Sequence, residues 1–263
     1  MRIAIIGAGN MGRAIALGLS KGNICKPSDI ICTARTPKTL EHLHALYPQF
    51  PTTLDNKEAI KGADIVLVAV KPWRLEAAIN QIKDSMDYSH QIFVSIAAGV
   101  GTDKLATFLK KEDGSLPPIF YMIPNTAFEV CSSMTFLTSS NATQAQIDLM
   151  MTVMGEGGYI KFVEERFMAS GTALASCGIA YVFRYIRATI EGGVEMGFYP
   201  EEAQDIVLHT VRGAVDLLLE NRSNPEQEID KVTTPGGITI KGLNEMERAG
   251  FTPSVIRGLK AGL

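Results

Sequence analysis

The sequence predicts an α/β fold, with a parallel-sheet domain at the N-terminal end and an all-helical domain after it. Short, almost continuously apolar segments such as Asp64–Val70 and Gln91–Ala97 alternate with helical patterns in the first part of the chain. This alternation is typical of a parallel sheet that is buried on both faces. After Val163, apolar residues recur only at helical spacing. We therefore predict two domains in the 263 residues, at 1–163 and 164–263.

The elements of the first domain are predicted from periodicity and composition. The strands are predicted at Arg2–Ile6, Asp29–Ala34, Asp64–Val70, Gln91–Ala97, Pro118–Ile123, Met134–Thr138 and Tyr159–Val163. Helices are predicted between most of them, among them Pro37–Leu46, Leu75–Lys83 and Thr143–Met154.

The second domain is predicted to be helical throughout. Apolar residues at every third or fourth position predict a first long helix over Ile179–Val194. Pro200 is in a typical first-turn position for a second helix, and a third is predicted over Thr239–Gly250. Thr252 and Pro253 indicate the cap and first turn of a last helix.

The composition excludes several classes of function. The 25 basic and 28 acidic residues give a formal net charge of −3, so neither nucleic acid nor an anionic membrane is an expected partner. The four cysteines and four histidines lack metal-ligand spacing, so no metal site is predicted. The cysteines are interpreted as reduced thiols of a cytoplasmic protein. No secretory signal and no membrane-spanning run is expected.

The segment Gly7-Ala8-Gly9-Asn10-Met11-Gly12 has the spacing GxGxxG. Because it follows a predicted strand and opens a predicted helix, it indicates a dinucleotide site in a Rossmann domain. Gly7 permits the tight turn, Gly9 lets the pyrophosphate approach the backbone, and Gly12 lets the helix pack on the strand. An ordinary glycine-rich turn is the alternative, and the position directly after the first strand favours the dinucleotide site.

The end of the second predicted strand favours NADPH, with NADH as the second candidate. NAD sites usually have an Asp or Glu at this point, which binds the ribose hydroxyls. This chain has Ala34-Arg35-Thr36-Pro37-Lys38, without a carboxylate. Arg35 and Thr36 suit a 2′-phosphate by charge and by hydrogen bonding. Lys38 either assists them or belongs to a solvated helix face.

Two further segments follow strands at the edge of the sheet where ligands of open α/β folds bind. They are Ala69-Val70-Lys71-Pro72 and Ala97-Ala98-Gly99. The small residues at 97–99 would admit a flat cofactor ring. Lys71 is either a donor to a ribose or carboxamide or an ordinary solvated lysine.

The run from Thr233 to Thr239 precedes the third predicted helix of the second domain. Gly236 and Gly237 at a helix start would offer free N–H groups and the positive end of the helix to an anion, and Thr234 could add a hydroxyl. A simple glycine turn with a capping Thr is the alternative. The local residues support both about equally, although Pro235 and the absent glycine side chains favour binding.

These segments and several further motifs are spread over the chain. They are GxGNMG at 7–12, Asn56-Lys57-Glu58, AVKP at 69–72, SIAAG at 95–99, Pro124-Asn125-Thr126, Ala180-Tyr181-Val182-Phe183 and Thr234-Pro235-Gly236-Gly237-Ile238-Thr239. Together they resemble the pyrroline-5-carboxylate reductase family nearly end to end. The last motif is similar to the specific late signature of that family, Ser/Thr-Pro-Gly-Gly-x-Thr.

The resemblance implies a Rossmann domain that binds NAD(P)H. It also implies a C-terminal helical dimerisation domain that intertwines with the same domain of a second subunit. It implies reduction of L-1-pyrroline-5-carboxylate to L-proline, the last step of proline biosynthesis. The active site is then expected at the interface of a homodimer or a higher homo-oligomer. There the cofactor would come from one chain and the late signature from the other.

The resemblance also implies residue roles. Thr239 is expected to hydrogen-bond the ring nitrogen of the substrate as the catalytic residue. Asn56 is expected near the adenosine. The remaining predicted residues are Thr234, Gly236 and Gly237 for the substrate, and Ala69, Val70, Lys71, Pro72, Ala97, Gly99 and Asn125 for the cofactor.

Two segments depart from the family pattern. The family often has Ser-Gly-Ser-Gly-Pro where this chain has Ala175-Ser176-Cys177-Gly178-Ile179, and commonly has Arg-x-Met where this chain has Tyr121-Met122-Ile123. These departures leave the expected cofactor site intact and bear on the shape of the substrate pocket.

Two alternative functions are compatible with a GxGxxG motif followed by a helical domain. β-Hydroxyacid dehydrogenases also join GxGxxG to a helical domain, but they usually have a Lys in the first long helix of that domain. The corresponding segment Ala180–Met196 has Arg184 and Arg187 and no Lys. A non-catalytic NADPH-binding regulatory protein is supported only by the departures at Ala175–Ile179.

Overall fold

The computed structural model describes all residues from Met1 to Leu263 and divides them into two compact units. We call Met1–Ser176 the N-terminal unit and Cys177–Leu263 the C-terminal unit. The domain boundary expected from the sequence, between residues 163 and 164, stays a prediction.

The N-terminal unit is built on one eight-stranded sheet. The strands are β1 (Ile3–Ile6), β2 (Ile30–Thr33), β3 (Thr52–Thr53), β4 (Ile65–Val68), β5 (Ile92–Ser95), β6 (Ile119–Ile123), β7 (Ser133–Ser140) and β8 (Gly158–Phe162). Their order is β3-β2-β1-β4-β5-β6-β7-β8. The strands from β3 to β6 pair in parallel, β7 is antiparallel to β6, and β8 is parallel to β7. Every predicted strand overlaps one of these, and the two-residue β3 is additional.

Helices connect the strands of this sheet. They are α1 (Asn10–Ser20), α2 (Pro37–Leu46), α3 (Asn56–Ile60), α4 (Leu75–Ile82), α5 (Thr102–Leu109), α6 (Gln144–Gly155) and α7 (Met168–Gly171), followed by a π-helical segment at Thr172–Cys177.

Both faces of the sheet are covered, because side chains of a strand alternate between them. In β1, Ile3 and Ile5 belong to a core cluster that also contains Ile15 of α1, whereas Ile6 belongs to a second cluster with Ile79 of α4. Each fully buried side chain of this size contributes about 1.5–3 kcal/mol. The sequence-predicted doubly wound α/β architecture of the first domain is therefore confirmed.

The C-terminal unit is entirely helical, as the sequence predicts. Its helices are α8 (Gly178–Glu195), α9 (Pro200–Asn221), α10 (Pro225–Val232), α11 (Ile238–Arg248) and α12 (Phe251–Lys260). A Cβ built on Gly193 would lie 3.0 Å from the Cβ of Ala203, so α8 and α9 approach closely where both residues are small. Many large apolar side chains of this unit are exposed in the single chain, among them Phe183, Ile206 and Leu219.

The predicted start of the last helix is wrong by a few residues. The N-cap of α12 is Gly250, with φ 86°, rather than Thr252. Thr252 lies inside the first turn, where its hydroxyl donates to Glu247 at 2.7 Å. Pro253 is also accommodated within the first turn, because the N–H groups there have no partner inside the helix.

No helix of the structure is both long enough and apolar enough to cross a membrane.

Candidate functional site

Two glycines let the loop after β1 pack against the end of β4. Gly7 has φ 107°, a conformation that favours glycine, and a Cβ there would lie 2.7 Å from the carbonyl oxygen of Ala69. A Cβ at Gly12 would collide with the carbonyl oxygen of Gly7. Both positions therefore need glycine so that the loop can pack.

Gly9 has a different environment. No heavy atom lies within 4 Å of the position of its absent Cβ, and it is the N-cap of α1 with no side chain capping the helix. The backbone of this helix start is therefore open, and its unpaired N–H groups and positive dipole suit the phosphates of a dinucleotide.

Thr33, at the end of β2, organises the same loop. Its carbonyl oxygen accepts the N–H groups of Gly7 and Ala8 at 3.1 and 2.6 Å. Its hydroxyl donates to Oδ1 of Asn56 at 2.7 Å, and Nδ2 of Asn56 donates to Gln81 at 2.7 Å. The structure thus joins the predicted residue Asn56 to the glycine loop through Thr33.

A cavity of about 350 Å³ opens beside the glycine loop. Its wall is formed by Ala8, Gly9, Asn10, Arg13, Thr36, Lys38, Thr39, His42 and Leu43. The wall contains no carboxylate, and it includes the predicted residues Thr36 and Lys38. Arg35 is exposed and does not form part of this wall.

Arg13 and His42 were not identified in the sequence. The nearest sequence signal for Arg13 is that a basic residue directly follows Gly12, the last glycine of the motif. His42 lies on α2, and only the tertiary fold brings Arg13 of α1 and His42 of α2 to one cavity.

The residues present fit a phosphorylated dinucleotide. The Nε atom of Arg13 is buried without any hydrogen-bond partner, and an unpaired buried donor of a charged group is costly unless a ligand supplies an acceptor. The open backbone at Gly9 leaves room for a phosphate group. The cavity wall contains the cationic side chains of Arg13 and Lys38 and no carboxylate that would offset their charge. These features suit the anionic groups of NADPH.

The predicted segments after β4 and β5 lie at the carboxyl ends of two neighbouring strands. The N–H of Ala69 donates to Ile6 at 2.8 Å, which fixes this segment beside the glycine loop. Lys71 is exposed and Ala97 is buried. Gly99 has φ 78°, and its N–H donates to the hydroxyl of Tyr121 at 3.0 Å.

Tyr121 and Glu165 support the loop that contains Ala97 and Gly99. Burial raises the pKa of Tyr121, the hydrogen bond from Gly99 lowers it, and the charge of Glu165 raises it further. Glu165 accepts the N–H of Thr102 at 2.9 Å and also its hydroxyl, so a carboxylate caps the start of α5.

Asn125 is buried, and hydrogen bonds fix both its side chain and its backbone. Its Oδ1 accepts the N–H of Ala127 at 3.0 Å, and its backbone N–H donates to Ser133 at 3.1 Å. Its Nδ2 donates to the carbonyl oxygen of Ala175 at 3.4 Å, which connects it to one of the segments that depart from the family pattern. Its predicted contact with the cofactor stays a prediction.

The late segment forms a tight turn before α11. The N–H of Gly237 donates to the carbonyl oxygen of Thr234 at 3.0 Å, and Gly236 has φ 69°. Pro235 and Gly236 thus occupy the two central positions of a turn whose third residue has positive φ, as in a type II turn. Gly237 is the N-cap of α11, and no side chain caps this helix. Thr234 is therefore not a helix cap, and the first turn of α11, with the exposed Thr239, has free N–H groups.

The structure contains no group of three or more His, Cys, Asp or Glu side chains that could hold a metal ion.

Two protein-family models match the chain. The model described as pyrroline-5-carboxylate reductase dimerisation matches residues 165–263. The model described as NADP oxidoreductase, coenzyme F420-dependent, matches residues 2–99.

Curated relatives match nearly the whole chain. Pyrroline-5-carboxylate reductase 1 of Dictyostelium discoideum is 37% identical over 98% of this chain, which spans only 48% of that protein. Pyrroline-5-carboxylate reductase 2 of the same organism is 34% identical over 98% of this chain and 89% of its own length. The pyrroline-5-carboxylate reductase of Aquifex aeolicus is 35% identical over 97% of this chain and 92% of its own length.

Solved structures agree with these relatives. The pyrroline carboxylate reductase of Plasmodium falciparum, crystallised with NADP bound, has a TM-score of 0.89 and 27% identity, covering 100% of this chain and 95% of that one. The 1-pyrroline-5-carboxylate reductase of Streptococcus pyogenes has a TM-score of 0.86 and 28% identity, covering 100% and 96%. The chain is thus an oxidoreductase and belongs to the pyrroline-5-carboxylate reductase family.

Proposed function

We propose that this chain reduces L-1-pyrroline-5-carboxylate to L-proline with NADPH, the last step of proline biosynthesis. The observation that carries the proposal is its relation, over nearly its whole length, to reductases of this substrate. The Gly7–Gly12 loop of the N-terminal unit offers a site for the cofactor, and the uncapped start of α11 offers a site for the substrate.

The cofactor is proposed to bind at the carboxyl ends of β1, β2, β4 and β5. Its pyrophosphate would lie at the open backbone of Gly9 and the start of α1. The residues proposed to contact it are Gly7, Ala8, Gly9, Asn10, Met11, Gly12, Arg35, Thr36, Asn56, Ala69, Val70, Lys71, Pro72, Ala97, Gly99 and Asn125.

The substrate carboxylate is proposed to bind at the start of α11. The turn at Thr234–Gly237 leaves the N–H groups of the first helical turn unpaired, and they lie at the positive end of an 11-residue helix. Gly236 and Gly237 present no side chain that would block a close anion. The Thr234 hydroxyl can donate one further hydrogen bond.

Thr239 is proposed as the catalytic residue that faces the ring nitrogen. Bound NADPH supplies a hydride to the carbon of the C=N bond. If the iminium binds already protonated, its nitrogen keeps that proton as the C=N π electrons return to it, so no stronger acid than a hydroxyl is needed. Thr239 then orients the ring by one hydrogen bond.

The active unit is proposed to be a homodimer, with the cofactor bound by one chain and the late segment supplied by its partner. The match of residues 165–263 to a dimerisation family and the exposed apolar side chains of the C-terminal unit support this assembly. The four free cysteines fit a reducing compartment, and we place the protein in the cytoplasm.

A direct assay tests the reaction. Purified protein is incubated with pyrroline-5-carboxylate and NADPH, proline is quantified, and the absorbance of the reduced cofactor is followed. Equimolar loss of NADPH and gain of proline is expected. NADPH binding without any proline at high enzyme concentration would sink the proposal.

The role of Thr239 is tested by Thr239→Ala. We expect kcat/KM to fall about 10- to 100-fold, the effect of one hydrogen bond to a charged group, while the Kd for NADPH changes less than about twofold. Thr210→Ala is the matched control, because Thr210 is also an exposed helical Thr and bonds only to the carbonyl of Ile206. Equal losses of turnover and NADPH affinity in Thr239→Ala would assign this residue a structural role instead.

A further inference from the structure

We propose that Arg13, together with Lys38 and His42, forms the site for the 2′-phosphate of NADPH, and that Arg13 rather than Arg35 sets the preference for NADPH over NADH. This inference rests on the proposed function only in that a dinucleotide binds at the Gly7–Gly12 loop.

The first argument is the unpaired guanidinium of Arg13. Its Nε is buried without a hydrogen-bond partner, and none of the ion pairs of the structure includes Arg13. Buried donors are nearly always paired, and a charged one that lacks a partner points to a missing acceptor. Since the buried Nε is closed to solvent, an anion in the adjoining cavity, which Arg13 lines, would bind the terminal nitrogens of the guanidinium.

The second argument is the composition of the cavity wall. Arg13 and Lys38 are cationic, neither is ion-paired, and no Asp or Glu lines the cavity. Thr36 and Thr39 also line it, with hydroxyl oxygens 3.0 Å apart, and His42 adds a ring nitrogen that can donate. Several donors with uncompensated positive charge suit a phosphate, and the planar guanidinium can bind two of its oxygens.

The third argument is position. The wall extends from Gly9 and Asn10, at the start of α1, to residues 36–43, which follow β2. In dinucleotide folds the pyrophosphate lies at the first of these places and the adenosine ribose at the second. A phosphate on the 2′ position of that ribose would therefore enter this cavity. Arg35 is exposed and does not line this cavity, so it is less well placed than Arg13 to bind the 2′-phosphate.

The test compares ligands that differ by this one phosphate. Calorimetry measures the Kd of 2′,5′-ADP and of 5′-AMP, and nicotinamide fluorescence measures the Kd of NADPH and of NADH. For Arg13→Met we expect about 10- to 100-fold weaker binding of 2′,5′-ADP and NADPH. Binding of 5′-AMP and NADH should change by less than about twofold.

Arg2→Met is the matched control, because it removes one arginine charge just before β1, at the opposite end of that strand from the glycine loop. All four affinities should be unchanged in this variant. Arg35→Met is the competing variant and should weaken NADPH binding less than Arg13→Met.

Three outcomes would overturn the inference. One is an equal loss of NADH and NADPH binding in Arg13→Met, which would indicate a pyrophosphate contact or damage to the fold. Another is a larger loss in Arg35→Met than in Arg13→Met. The third is equal affinity of the wild type for 2′,5′-ADP and 5′-AMP. If Arg13→Met does not fold, as judged by circular dichroism, the double variant Lys38→Met, His42→Gln must weaken 2′,5′-ADP selectively.

These measurements need no pyrroline substrate, so the two proposals can fail separately. If the wild type prefers 2′,5′-ADP through Arg13 but forms no proline, the 2′-phosphate site is supported and the reductase proposal is wrong.

Discussion

The hydroxyl of Tyr121 accepts a hydrogen bond from the backbone N–H of Gly99 at 3.0 Å. Tyr121 belongs to β6, next to β5 in the sheet, and Gly99 lies in the loop that follows β5. A buried side chain of one strand thus fixes the loop of its neighbour, at the edge of the sheet where the nicotinamide is proposed to bind.

Tyr121→Phe should remove this acceptor and leave the Gly99 N–H unpaired. Because Gly99 is exposed, water can pair with its N–H, so we expect the free energy of unfolding to fall by about 0.5–1.5 kcal/mol and amide exchange at Gly99 to accelerate. Urea denaturation and hydrogen exchange measure the two effects. Tyr159→Phe is the control, since Tyr159 is 69% exposed. Equal effects of the two substitutions would show that the hydrogen bond does not order the loop.

Gly9→Ala should mainly weaken NADPH binding, whereas Gly12→Ala should mainly lower the stability of the fold. A methyl group at Gly9 meets no heavy atom within 4 Å, so stability should change by less than about 1 kcal/mol. NADPH affinity should fall by about tenfold or more, because the methyl group occupies the approach of the pyrophosphate. A methyl group at Gly12 collides with Gly7, so stability should fall by about 1–3 kcal/mol or more. Urea midpoints and NADPH titrations distinguish the two, and the reverse pattern would contradict the assigned roles.

Gly236→Ala should lower the free energy of unfolding, and Gly242→Ala should raise it. Gly236 has φ 69° with open space around it, so alanine there is expected to cost about 1–2 kcal/mol through backbone strain alone. Gly242 lies inside α11, also in open space, and alanine should stabilise this helix by about 0.5–1 kcal/mol. Thermal unfolding of both variants measures this. Stabilisation by both substitutions would mean that the left-handed turn does not persist in solution.

Alkaline pH should destabilise the chain through Cys32. Burial raises the pKa of this thiol from 9.0 to about 12, so the folded chain retains the proton more strongly than the unfolded chain. The contribution of Cys32 is complete below pH 9 and falls as the pH rises towards 12, by about 1.4 kcal/mol per pH unit. Urea midpoints from pH 8 to 11 should decline less steeply in Cys32→Ala than in the wild type. Identical slopes in Cys32→Ala and the wild type would contradict the shift.

Long periodic patterns predicted the main elements of the fold. The strands β1, β4 and β5 are short apolar runs buried on both faces, and their ends agree with the sequence prediction to within two residues. The five-residue α3 and the two-residue β3 have no sequence prediction, because each is too short to show a repeating hydrophobic pattern. The start of α12 was misplaced because a glycine with positive φ can precede a helix where a Thr-Pro pair also fits.

Sequence reasoning reaches the candidate site only where a local motif encodes it. The roles expected of Gly7, Gly9 and Gly12 follow from their spacing and stay predictions, and the structure gives each residue a distinct environment. Arg13 and His42 lie on different helices and line one cavity only in the tertiary fold, and no spacing rule describes that placement. The roles of Thr239 and Asn125 remain predictions that rest on the family resemblance.

The two hydrogen bonds that Thr33 accepts from Gly7 and Ala8 have a kinetic consequence. They fix the nucleotide loop, which follows β1, to the end of the neighbouring strand β2, so we expect nearly every molecule to be competent to bind. The apparent affinity is then not reduced by a minor competent population. The observed association rate of NADPH should rise linearly with its concentration, without the plateau that a slow ordering step would impose.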